Sequence, residues 1–180
     1  MAEAKVGDEF ITHEFDEAIA IHRGIVEAER SLAATHPVPE VKRELKGYLK
    51  EDERFLRELE GLGAEKGATG KVEEVAGSMT ELMETTLQSA PEAESEAYEA
   101  HAVLLSMKRK QQDSGLAMIR IARDRKDTKL REAATRFERG QRLAAKGLGA
   151  SLAAFAVRIA GTQQSRRTTR VSASRDAGTQ

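Results

Sequence analysis

The 180-residue sequence has no cysteine, no tryptophan, three prolines and an aromatic share of only 4%. Without cysteine there can be no disulfide, no thiol nucleophile and no thiolate zinc site. So few aromatics and prolines argue against a β-sandwich or barrel, whose strands draw on aromatic and β-branched side chains. Recognisable catalytic phrases are missing too. No Gly-rich phosphate loop follows a strand pattern, and there is no Gly-x-Ser-x-Gly, His-Glu-x-x-His or EF-hand loop. The first ten residues, MAEAKVGDEF, lack a basic region followed by an apolar one, and no run of about 18–20 uninterrupted apolar residues stands out. The expectation is a cytoplasmic chain with no membrane partner.

What is present is an Ala/Glu/Lys/Leu/Arg-rich composition, with 39% hydrophobic and 33% charged residues, the profile of long helices. The length suits one domain with a real core. Net charge is −1, but it is unevenly spread: residues 1–107 carry 11 Lys/Arg against 24 Asp/Glu, and residues 108–180 carry 18 against 6. Oppositely charged faces can meet within one molecule, between subunits, or on an anionic partner.

Apolar spacing of three, four and seven predicts five helical segments. The first covers 8–35, with Ile11, Phe15, Ala18, Ile25 and Leu32 on its stripe. His36-Pro37-Val38-Pro39 ends it, and Pro39 suits the first turn of a second helix over 39–62. That helix carries Val41, Leu45, Tyr48, Phe55, Leu59 and Leu62 inward. After a glycine-rich turn over 61–70, a short third helix over 71–88 places Val72, Val75, Met79 and Leu82 on one face. Ser89-Ala90-Pro91-Glu92 reads as a capping box opening a long fourth helix to about Arg123, with Tyr98, Leu105, Leu116 and Ile119 inward. Its middle, 106–115, is unusually polar. A turn at 123–127 leads to a fifth helix over 128–160 with Leu130, Phe137, Leu148, Leu152, Phe155 and Ile159. Residues 1–7 are expected as an N-terminal extension, 8–161 as the bundle domain, and 162–180, with Arg166, Arg167, Arg170 and Arg175, as a disordered basic tail. The fold class is all-α: four long helices in a bundle with a short crossover helix.

Several ionisable residues fall where these stripes predict core: His22 and Glu29 on the first helix, Asp52 on the second, and Gln141 on the fifth. His101 and Gln112 lie on or beside the fourth stripe. A buried unpaired charge costs several kcal/mol, so such groups must be paired, hydrated or coordinated. They therefore form a metal or proton site, a polar layer that fixes helix register, or a face turned to solvent. A dinuclear carboxylate site uses Glu-x-x-His on two helices, and none of the four histidines has Glu three residues earlier. His13 with Asp16 and Glu17 could chelate a cation or form a solvated face. Gly147-Leu148-Gly149 suits close helix packing. The basic tail lacks aromatics for base stacking and supports at most weak, non-specific nucleic-acid or protein docking.

The segment Pro39-Glu40-Val41-Lys42 through Tyr48-Leu49-Lys50-Glu51 to Glu60-Gly61-Leu62-Gly63, then Gly67-Ala68-Thr69-Gly70-Lys71 and Glu96-Ala97-Tyr98-Glu99, resembles the ferritin-like superfamily, nearest its stress-associated bacterial branch. The resemblance covers about 15–146 and rests mostly on helix pattern. It implies an iron or manganese site, with Glu29 (or Glu27), Glu51, Glu99 and Glu138 as the carboxylates that match by position. Where the family has metal-binding histidines, this chain has Tyr48, Ala97 and, three after Glu138, Gln141. The expectation is thus a non-catalytic, homo-oligomeric bundle of stress response or assembly, without a bound cofactor. The alternatives are a carboxylate iron or manganese protein and an anion-docking module.

Overall fold

The computed structural model describes the backbone of residues 2–71, 75–89 and 93–176, and the side chains of 7–71, 77–89 and 93–161. Among these residues the protein is all-α, with five helices: α1 (Ala2–Thr35), α2 (Pro39–Glu65), α3 (Val75–Gln88), α4 (Glu94–Asp124) and α5 (Thr128–Asp176).

The helix ends follow local chemistry. After α1, the His36 N–H still bonds to Leu32 O, and the Lys42 ammonium reaches back to Ala34 O, a cation at a helix C-terminus. Pro39 opens α2 without sacrificing a needed donor. α2 closes with the paired bonds Ala68 N to Gly63 O and Gly67 N to Ala64 O, with Gly67 left-handed at φ 81°. α4 closes the same way, through Asp127 N to Ala122 O and Lys126 N to Arg123 O, but the left-handed position is held by Lys126 at φ 56°. Asp127 then caps α5 by accepting the Leu130 N–H at 2.9 Å.

Three boundaries differ most from the sequence reading. α1 begins at Ala2, so most of the expected extension 1–7 is helical. α5 runs on to Asp176 beyond the expected end near Ala160, because extending a helix already formed is far cheaper than starting one. The expectation of a disordered tail over 162–180 therefore meets a helical backbone through Asp176, and residues 177–180 lie outside the described residues. α4 begins at Glu94 after Ala93, which makes no side-chain cap; Ser89 instead donates back to Thr85 O, and residues 90–92 of the expected capping box lie outside the described residues. In α3, Val72 is likewise outside them, as is the side chain of Val75.

α1 packs on α2, α3 and α4; α4 also packs on α3 and α5; α2 meets α5. Two apolar clusters result. One gathers Phe15, Ile19, Phe55, Leu59, Met118 and Phe137, the other Ile25, Leu32, Leu45, Leu104, Met107 and Leu148. The order in which each helix passes these clusters gives α1 and α5 one sense and α2 and α4 the other. Glycines let the helices close up: a Cβ on Gly115 would lie 3.0–3.1 Å from Glu138 Cβ and Cα, and one on Gly140 would enter the Phe55 ring. Gly147 lies against Tyr48 and Glu44, the close packing expected of the 147–149 phrase. Two inward assignments are overturned. Leu116 is 42% and Leu82 55% exposed, and Met118 and Met83 take the buried positions, because each stripe is shifted in phase by one to two residues.

The helix over Thr128–Gly161 contains an 18-residue window of mean hydropathy 1.4, of which 22% is buried. By length and composition alone it could cross a membrane, although Lys and Arg interrupt its apolar run. Leu143 and Val157, at 52% and 74% exposure, belong to its outer surface.

Candidate functional site

Between the two apolar clusters in chain order on α2, α4 and α5 lie Asp52, Lys108 and Gln141; with His22 and Glu29 of α1 they make a polar layer. All five are buried, with exposures of 0–2%. His22, Glu29, Asp52 and Gln141 are the residues that the stripes placed in the core. Lys108 was not foreseen. Its ammonium lies 2.8 Å from Glu29 Oε1 and ion-pairs with Asp52 Oδ2. Gln141 Nε2 donates to Asp52 Oδ1 at 2.6 Å. His22 Nε2 is 3.1 Å from the Asp52 backbone oxygen, to which it donates its proton, and 3.3 Å from Oδ1, close enough to feel that carboxylate's charge. Tyr48 sits with its ring centroid 5.8 Å from the ammonium, and its hydroxyl donates to Glu44 at 2.8 Å.

Protonation follows from crowding. Burial pushes Glu29 up to about 8, against the pull of Lys108 and with help from the Asp52 charge. Burial would raise Asp52 as well, but the charges of Lys108 and His22 and the hydrogen bonds from Lys108 and Gln141 outweigh it, and Asp52 lies below its usual range. Burial also lowers His22 to about 4, with Lys108 adding to the effect and Asp52 opposing it. At neutral pH the layer therefore holds one ammonium, one carboxylate, one carboxylic acid and one neutral imidazole. It is electrically balanced without an added ion. His22 Nδ1 and Gln141 Oε1 find no hydrogen-bond partner among the described residues.

The expected carboxylate ligands are not brought together. Glu29 enters the layer but is engaged by Lys108. Glu51 and Glu99 are exposed, as is Glu27, which pairs with Arg30. Glu138 is half-buried and accepts from Gln112 at 3.4 Å and Arg142 at 3.2 Å. On α2 the residue turned inward is Asp52, one position and about 100° from Glu51. Among the described residues no group of three or more His, Asp or Glu is disposed to hold a metal ion. The His13 cluster dissolves as well. Asp16 accepts the N–H groups of Thr69 and Gly70, both at 2.6 Å, clamping the loop after α2, while Glu17 pairs with Lys110.

Lys108 and the also buried Gln111 had a readable signal. Ala97, His101, Leu104, Lys108, Gln111, Gly115 and Met118 follow one another in steps of four and three, all buried. The polar centre of this stripe masks its phase, and Leu116 and Ile119 offer an apolar alternative. Gln111 Nε2 donates to Ala18 O at 2.9 Å, tying α4 to α1.

No protein-family profile matches this chain, and no curated protein matches it significantly.

Proposed function

We propose that this chain is a non-catalytic, cytoplasmic helical bundle protein of ferritin-like architecture acting in assembly or stress response. Four long helices, α1, α2, α4 and α5, with short α3 as the crossover between α2 and α4, fit the packing partners and the alternating chain sense. The observation that carries the reading is the Lys108 ammonium between Asp52 and Glu29. At the level where the resemblance implies a metal, the chain supplies its own cation, and the layer is shut from solvent. Such a layer specifies which helix faces meet rather than turning over a substrate. Metal analysis of protein purified without chelator tests this. No stoichiometric iron or manganese is expected, and two such ions per chain would overturn it.

Assembly through the outer face of α5 is favoured by its exposed Leu143 and Val157. Sedimentation of Leu143→Glu and Val157→Glu variants is expected to show a smaller particle than the parent chain. An unchanged particle removes α5 from the interface.

A second reading rests on the charge of residues 108–180, 18 Lys/Arg against 6 Asp/Glu, and on the continuation of α5 to Asp176. It makes this part a docking element for anions such as nucleic acid. The full chain is then expected to bind duplex DNA with a steeper salt dependence than a chain ending at Gly161. Equal slopes remove the extension from the argument.

A further inference from the structure

We propose that His36 and His101 form an acid-released latch where the α1–α2 turn meets α4 and α5. Both imidazoles are buried, at 0% and 1% exposure, and their rings stand edge-on with centroids 5.7 Å apart. Each has one nitrogen already committed. The Val38 N–H donates to His36 Nδ1 at 3.1 Å, so Nδ1 is the bare nitrogen and Nε2 carries the proton. His101 Nε2 lies 3.0 Å from Leu148 O, so it carries the proton and Nδ1 is bare. The remaining atoms are thus a donor on His36 and an acceptor on His101, both buried and both without a hydrogen-bond partner. The committed bonds run from the Val38 N–H into His36 and from His101 out to the α5 backbone, and the first of them requires a neutral His36.

A further proton has nowhere acceptable to go. On His36 Nδ1 it would point at the Val38 N–H, donor against donor. On His101 Nδ1 it would add a buried donor where no acceptor faces it among the described residues. The neighbours do not compensate. From α2, Lys42 disfavours a charge on His36 and Glu44 favours one on His101; from α5, Arg158 disfavours it, and Arg158 is itself paired with Glu94 of α4. Phe155, 4.9 Å from His36, closes the apolar side. Burial accordingly holds both imidazoles below their ordinary range. The latch thus lets go of the turn on acidification; the one comparable imidazole beside the far apolar cluster among the described residues is His22, edge-on to Phe137 at 5.3 Å.

Amide hydrogen exchange on the full chain tests this. Between pH 6.5 and 5.5 the opening constant reported by the Val38 and Lys42 amides, corrected for intrinsic exchange, is expected to rise by up to about tenfold for each histidine. Amides around Leu59 and Leu130 should change less. In His36→Asn/His101→Gln, Asn can still accept from Val38 and Gln can still donate to Leu148 O, but neither titrates, and the rise is expected to vanish. Its persistence would assign the opening to another group and overturn the proposal. If the double variant fails to fold, the imidazole resonances of the parent chain decide: both rings must stay neutral at pH 5.5, and protonation of either in the closed state overturns it.

Discussion

The polar layer in the middle of the molecule and the histidine pair at its end solve the burial of titratable groups in opposite ways. The layer keeps one full charge of each sign and neutralises them against each other, Lys108 with Asp52, leaving Glu29 as the acid that must hold its proton. The pair keeps no charge and instead depends on two imidazoles that must refuse one. Only the layer is harmed by alkali, through Glu29, whereas acid bears on both imidazoles of the pair and, in the layer, on His22. The difference shows that burial alone does not set a pH response; the sign comes from whether the neutral form is the protonated one.

The largest effect should come from removing the cation. Lys108→Met leaves the Asp52 carboxylate buried without its partner, a change that costs about 3–5 kcal/mol. Urea denaturation is expected to show that loss, and Lys108→Met combined with Asp52→Asn and Glu29→Gln should recover much of it. A single-variant cost below about 1 kcal/mol would mean that the layer is hydrated and that its contrast with the dry histidine pair is false.

Glu29→Gln tests the alkaline side. The folded state raises the Glu29 pKa from 4.5 to about 8, so its contribution is fully present below about 4.5 and is lost as pH rises through about 8. The stability of the variant relative to the parent should therefore grow across that window, by on the order of 1.4 kcal/mol per pH unit at most. A flat difference would show that Glu29 is ionised beside Lys108.

His36→Asn tests the acid side. The folded state lowers this imidazole from 6.5 to about 4, so the neutral ring's contribution is present above about 6.5 and is lost as pH falls toward about 4. The variant should lose part of the parent's acid sensitivity over that interval, roughly a kcal/mol per pH unit, with no change between pH 7 and 8. His22, also lowered to about 4, keeps a residual acid slope in the middle layer.

These regions were unequally legible in the sequence. The middle layer was half visible, because His22, Glu29, Asp52 and Gln141 interrupt stripes that are otherwise apolar, and a helix cannot turn one residue outward without its neighbours. Lys108 lies on the readable α4 stripe, but its own chemistry argues for the surface. A lysine reads as surface unless a partner three-dimensionally opposite accounts for it, and Asp52 is 56 residues away. The histidine pair was hidden differently: His36 sits in a Pro-rich turn with no period to follow, and only the tertiary fold brings His101 beside it. The five helices themselves were legible because their apolar spacing is local. Their ends at Ala2 and Asp176 were not, since helix extension depends on the neighbouring turn more than on the residue's own preference.

The smallest expected effect serves as the control for the comparison. Lys126 holds a left-handed conformation at φ 56° to close α4, away from both titrating regions. A side chain there costs what glycine would not, so Lys126→Gly should stabilise the protein by about 0.5–1 kcal/mol, reduced by the extra freedom glycine gives the unfolded chain. Because Lys126 touches neither Glu29 nor His36, the gain should be the same at pH 5, 6.5 and 8, raising the whole stability profile without moving its flanks. A gain confined to one flank would mean that the α4–α5 turn communicates with a buried layer, and that the two regions are not independent.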